Sequence, residues 1–330
     1  MDRRIFIRNS ALVAAATTLG VSEAISAPKI VQFPNIKFGI CADLHQDIMH
    51  DGPERLQAFI TEMNKKKVDF IIQMGDFCRP YDYNKIILDI WKQFKGPNYH
   101  VIGNHDTDGG FTRDQVVEYW GAKGKYYSFD LKGYHFIVLD GNEGTRTATR
   151  RYPSMFSLEQ LEWLEKDLET AKLPVMVFVH QGLDNDGGVE NAMKVRYILE
   201  QANLKAKTKK VHLVFSGHHH CDYYNVINGI HYIQINSMSY HFMGKKYMKP
   251  SYSEDILQKH PKLLETTPYK DPLWATIEVQ ANGNFTMTGK KSQFVGPSPR
   301  ERGKNRLDDI YPGVSFISDH KFNLNGVSNT

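Results

Sequence analysis

The feature that most constrains the fold is a repeated order of short apolar runs, which begins at Ile36. Early in the chain, amphipathic segments with helical spacing separate these runs. Later, turn signals such as Lys132-Gly133 and Asn282-Gly283 separate them, which is typical of hairpins. Alternation followed by hairpins favours an α/β fold with two packed sheets flanked by helices, rather than one doubly wound sheet.

The apolar runs have the length and composition of β-strands, and three amphipathic segments are predicted as helices. The predicted strands are Ile36–Ala42, Val68–Met74, Tyr99–Ile102, Lys125–Asp130, His135–Asp140, Val175–Val179, Val211–Phe215, His231–Asn236, Trp274–Val279 and Asn284–Gly289. The predicted helices are Glu54–Lys66, Lys85–Phe94 and Ser157–Ala171. Ser157 and Gln160 form the pattern of a capping box at the start of the third helix.

Polar clusters follow five of these predicted strands at the point where each strand ends. They are Asp43-Leu44-His45, Gly75-Asp76, Gly103-Asn104-His105-Asp106, His180 and Gly217-His218-His219-His220. Because ligands bind outside the carboxyl ends of strands in open α/β sheets, we expect these clusters to converge. Two carboxylates, one amide and several imidazoles form a nitrogen and oxygen ligand set for first-row divalent metals.

The ordered set D-x-H, G-D, G-N-H-D, H and G-H-x-H resembles the calcineurin-like metallophosphoesterase superfamily. The motifs span residues 43–220, and the surrounding strand order covers residues 36–289. Each motif alone is weak, but G-N-H-D and G-H-x-H are rarer, and the complete order is specific. The resemblance implies a four-layer α/β/β/α metallophosphoesterase sandwich, in which two mixed sheets are flanked by helices.

The resemblance also implies two divalent metal ions, whose identity among Mn, Fe and Zn the ligand types leave open. The ligands of one metal would be Asp43, His45, Asp76 and His220. The ligands of the second metal would be Asp76, Asn104, His180 and His218. Asp76 would bridge the two ions, a role that needs a carboxylate oxygen.

The charge of this cluster favours an anionic substrate. Two divalent ions carry four positive charges, and Asp43 and Asp76 return two of them. The remaining charge favours attack by a metal-bridging hydroxide on a phosphate ester.

His105 is the expected general acid, which would protonate the leaving oxygen or stabilise charge on the phosphoryl group. Asp106, the next residue, is expected to orient the ring. The alternative is that His105 has only a structural role behind the metals. Arg79, Asn142 and His219 are candidate substrate contacts, each with a structural alternative.

Purple acid phosphatases place a tyrosine three residues after the bridging aspartate, and here that position is Arg79. The chain is more similar to cyclic-nucleotide and glycerophosphodiester phosphodiesterases, and to manganese-dependent ADP-ribose/CDP-alcohol diphosphatases. We therefore expect a small phosphorylated substrate, either a phosphodiester or a nucleotide-like compound. The alternatives are a phosphomonoesterase, a diphosphatase of the ADP-ribose/CDP-alcohol type, and an exported metal-binding protein with a decayed site. The complete ligand set argues against decay.

The N-terminal residues 1–27 resemble a twin-arginine export signal, with Arg3-Arg4 before a mildly apolar stretch from Ala11 to Val21. This predicts recognition by the twin-arginine export machinery and a periplasmic or otherwise exported protein. Residues 28–294 are predicted to form the metallophosphoesterase domain, without a membrane span. The tail, residues 295–330, is expected to wrap the surface or to be partly disordered.

Charge and cysteine content exclude other classes of protein. A formal net charge of +4 over 330 residues gives no signal of nucleic-acid binding, which argues against a nuclease. The three cysteines, Cys41, Cys78 and Cys221, each lie close to a proposed ligand in sequence. Buried thiols are the favoured interpretation, and a Cys78–Cys221 disulfide is the alternative.

Overall fold

The computed structural model describes residues 32–145, 151–206, 208–305 and 311–326. The predicted export signal lies outside the described residues. Among the described residues, no helix combines the length and the apolar composition needed to cross a membrane.

Six α-helices and fourteen β-strands are found in the described ranges. The helices are α1 Gly52–Lys66, α2 Lys85–Trp91, α3 Arg113–Trp120, α4 Leu158–Thr170, α5 Ala192–Lys205 and α6 Glu254–Lys259. The strands up to the middle of the chain are β1 Ile36–Cys41, β2 Phe70–Gln73, β3 Asn98–His100, β4 Tyr127–Leu131, β5 Tyr134–Leu139, β6 Val175–Val179 and β7 Val211–Ser216. The later strands are β8 Tyr223–Ile227, β9 Ile230–Gln234, β10 Tyr240–Phe242, β11 Thr266–Pro268, β12 Ala275–Val279, β13 Asn284–Gly289 and β14 His320–Asn323.

Twelve of the strands form two six-stranded mixed sheets. The first sheet has the order β14-β13-β12-β1-β2-β3, and the second has the order β4-β5-β6-β7-β9-β8. Strands β1, β2 and β3 are parallel in the first sheet, as are β5, β6, β7 and β9 in the second. Strands β10 and β11 pair separately.

Aromatic side chains from both sheets form the central core. Phe38 of β1 makes edge contacts with Phe136, Phe178 and Phe215 of the second sheet, at ring centroid distances of 6.0–6.2 Å. All four rings are fully buried. The other face of the first sheet packs on α1, α2 and α3, and the other face of the second packs on α4 and α5. The predicted four-layer sandwich is confirmed.

Each predicted strand and helix has a counterpart in the structure, with differences at several ends, but the 14-residue helix α5, helix α6 and strands β8, β10, β11 and β14 were not predicted. Helix α2 ends at Trp91 rather than Phe94, and helix α3 was not predicted. A capping box begins α3, because Thr112 accepts a hydrogen bond from the Gln115 backbone and Gln115 reaches back to the Thr112 amide. This T-x-x-Q pattern is a sequence signal that would have located the helix.

Two further predictions need correction. Ser157 caps α4 by accepting from the Gln160 backbone at 3.2 Å, but the Gln160 side chain bonds Asp140 and Glu143 instead of completing a box. Part of the predicted tail forms strand β14, which pairs with β13 at the edge of the first sheet. All three cysteines are buried thiols, as the sequence favoured, and Cys78 and Cys221 form no disulfide.

Candidate metal centre

The polar loops after β1, β2, β3, β6 and β7 meet beyond the carboxyl ends of these strands, at one end of the two packed sheets. The Asp43 amide donates to the carbonyl of Gly75 at 3.0 Å, which joins the first two loops. The His218 amide donates to Asp43 Oδ2 at 3.0 Å, and His180 Nδ1 lies 2.7 Å from the Met74 carbonyl. These contacts join loops of the second sheet to loops of the first.

A first group of possible ligands consists of Asp43, His45 and His220, whose ligand atoms lie within 4.8 Å of one another. His220 Nε2 lies 3.0 Å from His45 Nε2 and 3.3 Å from Asp43 Oδ1. His220 Nδ1 lies 2.8 Å from the Tyr240 carbonyl, which can only accept a hydrogen bond. Nδ1 of His220 is therefore the donor in this contact, and Nε2 is the nitrogen that faces the group.

A second group consists of Asp76, His180 and His218. His180 Nε2 lies 3.3 Å from Asp76 Oδ2 and 3.3 Å from His218 Nδ1. Because the Met74 carbonyl can only accept a hydrogen bond, His180 Nδ1 is the donor in that contact, and Nε2 is the nitrogen that faces the Asp76 carboxylate. Burial opposes a charge on His180, but Asp76 and Asp43 outweigh it and raise its pKa to about 10. The centre therefore stabilises positive charge.

The Asp76 carboxylate lies between the two groups. Its Oδ2 is 3.5 Å from His45 Nε2 of the first group and 3.3 Å from His180 Nε2 of the second. Its Oδ1 accepts a hydrogen bond from the His105 amide at 2.7 Å. Asp76 is therefore in contact with a histidine of each group.

The residues present fit two divalent cations. Asn104 is buried, and its Oδ1 has no hydrogen-bond partner among the described residues, although buried polar atoms are normally paired. Imidazole lone pairs and carboxylate oxygens also crowd together within both groups. Divalent cations satisfy such nitrogen and oxygen donors without further protons.

The backbone of the centre is held in unusual conformations. Five of the predicted ligands have positive φ angles: Asp43 at 53°, His45 at 50°, Asp76 at 51°, His218 at 78° and His220 at 51°. Gly75 has a φ of 99°, and a Cβ there would lie 2.7 Å from the Gly103 nitrogen and against the His180 ring. Such strain persists where the surrounding structure fixes it, which is common at functional sites.

Asp106 does not orient His105, contrary to the sequence-based expectation. Its carboxylate accepts backbone hydrogen bonds from Asp76 at 2.9 Å, Phe77 at 2.7 Å and Gly103 at 2.7 Å, and so joins two loops. Asp108 Oδ2 instead lies 2.8 Å from His105 Nδ1. The reason is the 3-10 turn at residues 104–107, because side chains three residues apart face the same way in such a turn.

The three candidate substrate contacts have structural partners. The Arg79 guanidinium lies 3.2 Å from Asp108 Oδ2. Asn142 is buried. Its side-chain Nδ2 donates to the Ile102 carbonyl at 2.9 Å, and its Oδ1 accepts a hydrogen bond from Gln181 Nε2 at 2.6 Å. His219 packs against Gly187, and burial lowers its pKa to about 4. None of these side chains is brought into either ligand group.

Sequence reasoning missed several residues around the centre. Tyr152 contacts His105 and Asp108, and the hydroxyls of Ser237 and Ser239 donate to the carbonyls of Asp43 and Leu44 at 2.8 and 2.7 Å. Asp108 carried a weak signal as a carboxylate three residues after His105. The other three lie far from the motifs in sequence, and no local pattern marks them.

The fold and this centre define a metal-dependent hydrolase that acts on phosphate esters. The family model described as calcineurin-like phosphoesterase matches residues 36–222, and the chain belongs to this family. The manganese-dependent ADP-ribose/CDP-alcohol diphosphatase of Arabidopsis thaliana is 24% identical, over 60% of this chain and 85% of that relative.

Two solved structures are similar to this chain in fold. A dimetal phosphatase from Danio rerio has a TM-score of 0.58 at 14% identity, covering 79% of this chain and 99% of the other. GAP50, the anchor in the inner membrane complex of Plasmodium, has a TM-score of 0.53 at 17% identity, covering 88% and 89%. At these identities the similarity shows the fold alone.

Proposed function

We propose that this protein is an exported dinuclear phosphohydrolase that cleaves phosphodiester or nucleotide-like substrates. The observation that carries the proposal is the Asp76 carboxylate, which lies within 3.5 Å of a histidine from each ligand group. A carboxylate at this position can bind two cations at once.

In this proposal the two groups and Asn104 hold the metals in the sets that the motifs predict. When bound there, two divalent ions would supply positive charge that favours ionisation of a water molecule and offsets the charge of phosphate oxygens. The protein orients the donors through the carbonyls of Met74 and Tyr240, which fix the ring nitrogens of His180 and His220. His105, held beside Asp76 by its own amide, donates a proton to the leaving oxygen.

The substrate class rests on the chemistry of the donors and on similarity. With two carboxylates against two divalent ions, the centre keeps a positive charge that favours phosphate over neutral esters. The name of the Arabidopsis relative supports a diphosphatase acting on ADP-ribose or CDP-alcohols as a specific candidate. Arg79 replaces the tyrosine typical of purple acid phosphatases, so two divalent ions are expected.

The first experiment measures hydrolysis by purified protein with Mn, Fe or Zn added back. The substrates are p-nitrophenyl phosphate, bis(p-nitrophenyl) phosphate and ADP-ribose, which separate monoesterase, diesterase and diphosphatase activities. We expect metal-dependent turnover, and a loss of about 10³-fold or more in Asp76→Asn, because each bound metal contributes several kcal/mol to the barrier reduction.

The matched control is Asp114→Asn, which removes a carboxylate that is 77% exposed and paired with Lys125 on the surface. It should keep the wild-type rate and metal content. Two bound metals without turnover on any substrate would refute the enzyme and favour the exported metal-binding protein. Turnover that persists after complete metal removal would refute the dinuclear mechanism.

Export through the twin-arginine route is a separate part of the proposal. Its support is the pair Arg3-Arg4 before an apolar stretch, and the advantage of folding around metals before crossing a membrane. In a bacterial host, replacing both residues by lysine should retain the protein in the cytoplasm, as fractionation would show. Unchanged export of the double variant would refute this route.

A further inference from the structure

We propose that Asp108 and Tyr152 are positioning residues that hold the His105 ring for proton donation through Nε2. This inference rests on the proposed function, since it assigns the groups that make His105 an effective acid. Neither residue belongs to a motif, and the structure assigns them to His105 through direct contacts.

The Asp108 carboxylate determines which ring nitrogen of His105 donates a hydrogen bond within the protein. Asp108 Oδ2 lies 2.8 Å from Nδ1, and an ionised carboxylate can only accept a hydrogen bond. Nδ1 is therefore the protonated nitrogen in this contact. The opposite nitrogen, Nε2, is the one that can reach a leaving oxygen.

Tyr152 holds the same pair from the side of the second sheet. Its hydroxyl lies 3.0 Å from His105 Nδ1 and 3.0 Å from Asp108 Oδ1. Tyr152 follows β5, and nearby Met155 ties this segment to the sheet end by donating its amide to the Gly141 carbonyl at 2.9 Å. The ring is thus held between segments from both halves of the molecule.

Arg79 explains how a carboxylate is tolerated beside a phosphate-binding centre. Its guanidinium lies 3.2 Å from Asp108 Oδ2 and 4.0 Å from Asp47 Oδ2, and its backbone amide donates to Asp47 at 2.9 Å. The positive charge of Arg79 offsets that of Asp108, which would otherwise repel an anionic substrate. We assign Arg79 to this support of Asp108.

The proton transfer balances without any further reagent. The acid form of the ring carries protons on both nitrogens. As the oxygen of the attacking water bonds to phosphorus and the bond between phosphorus and the leaving oxygen breaks, Nε2 gives its proton to that leaving oxygen. The ring is left neutral with its proton on Nδ1, where Asp108 continues to accept it. Water returns a proton to Nε2 before the next turnover. Asp108 and Tyr152 keep their own protonation states throughout.

The test compares Asp108→Asn and Tyr152→Phe on two esters of the preferred class, with p-nitrophenolate and phenolate as leaving groups. Phenolate is the poorer leaving group and depends more on the acid. We expect kcat for the phenyl ester to fall about 10²-fold in Asp108→Asn and about tenfold in Tyr152→Phe. The fall should be much smaller for the p-nitrophenyl ester, with KM little changed.

Asp114→Asn and Tyr197→Phe are the matched controls, since both side chains are largely exposed. They should leave both esters unaffected. An equal loss of kcat on the two esters in Asp108→Asn and Tyr152→Phe would overturn the proposal, because a structural defect does not depend on the leaving group. No loss of kcat on either ester would overturn it as well.

A second readout does not require activity. In zinc-loaded protein with ¹⁵N-labelled histidine, the His105 signals should show Nδ1 protonated throughout, both in the acid form, which carries a second proton on Nε2, and in the neutral form left after donation. In Asp108→Asn, part of the neutral His105 population should carry its proton on Nε2 instead of Nδ1. An unchanged distribution of the proton would overturn the proposal. If the wild-type protein shows the Nδ1–H state but hydrolyses no ester, the proposed function fails and the positioning contact stands. If hydrolysis is present without that state, the positioning contact fails.

Discussion

The two sheets make unequal contributions to the metal centre. The loops of the first sheet supply both carboxylates, Asp43 and Asp76, together with His45, Asn104 and the proposed acid His105. Among the predicted ligands, the loops of the second sheet supply only imidazoles, from His180, His218 and His220. In the proposed centre, the carboxylate charge and the acid therefore come from the first sheet, and the second sheet adds imidazole nitrogens.

The comparison shows why neither half is sufficient. The carboxylates of the first sheet attract cations, but without bound cations they would be uncompensated buried negative charges. The imidazoles of the second sheet bind a metal well only where their ring orientation is fixed. The link between the halves is close, since His180 Nδ1 lies 2.7 Å from the carbonyl of Met74, next to Gly75. The following changes test this division from the largest expected effect to the smallest.

Gly75→Ala should break the contact between the halves. A Cβ at Gly75 would lie 2.7 Å from the Gly103 nitrogen and against the His180 ring. We expect unfolding to require about 3 kcal/mol less and metal-dependent activity to be lost, because backbone at this contact cannot give way. Urea denaturation and bound-metal analysis measure both effects.

The control for Gly75→Ala is Gly110→Ala. Gly110 has a similar φ of 93° but no atom within 4 Å of an added Cβ. It should show only the cost of the left-handed backbone, about 1 kcal/mol. Equal destabilisation of the two variants would contradict the close contact as the cause.

Asp43→Asn and His220→Asn remove one ligand of the same group from opposite sheets. Loss of the carboxylate should weaken metal binding about tenfold more than loss of the imidazole, because it also removes a buried negative charge beside a dication. Metal titration by calorimetry would measure the two dissociation constants. An equal loss, or a larger one in His220→Asn, would mean that charge does not distinguish the sheets.

His212→Leu tests the start of β7, the strand whose other end leads to His218 and His220. It should change stability without changing a predicted ligand. Burial, with the charge of Lys209, lowers the His212 pKa from 6.5 to about 3. The unfolded state therefore binds more protons below pH 6.5, and stability falls as the pH falls through this range. By pH 5 the loss from this group is about 2 kcal/mol.

Urea unfolding of both proteins at pH 7.5 and pH 5 would measure this effect. His212→Leu should have the shallower dependence on pH. It should not be flat, since burial also lowers the pKa values of His100 and His231, to about 3 and about 4. An identical slope in the two proteins would contradict the buried neutral state of His212.

His135→Gln should show the smallest effect, with the opposite sign. Burial opposes the charge on His135, but hydrogen bonds with Asp167 at 2.7 Å and Asp130 at 2.6 Å raise its pKa. Its contribution is fully present below its unfolded pKa and is lost as the pH rises through the higher folded pKa. We expect about 1 kcal/mol or less, because Asp130 is exposed.

Thermal unfolding between pH 6 and pH 9 would detect the effect of His135. The wild-type protein should lose stability over this range, and His135→Gln should lose less. If the variant loses as much stability as the wild-type protein over this pH range, the pH dependence comes from groups other than His135.

The amino-acid sequence by itself determined the layers of the fold and the loops that carry the centre. Strands with continuous apolar runs, such as Val175–Val179, are visible because every side chain of a strand covered on both faces must be apolar. Motifs with special residue types, such as Gly75-Asp76, are visible because few other residues satisfy their backbone and chemistry. Element ends and short edge strands such as β14 were missed, since they depend on contacts with distant segments.

The tertiary structure alone decided the partners of the side chains. Asp106 and Asp108 are equally plausible neighbours of His105 in sequence, but the 3-10 turn directs Asp108 to the ring and Asp106 to backbone amides. Tyr152, 47 residues from His105, reaches it only because the loops of both sheets meet at one edge. Sequence patterns record local geometry and residue chemistry, whereas the direction of a side chain depends on packing between distant segments.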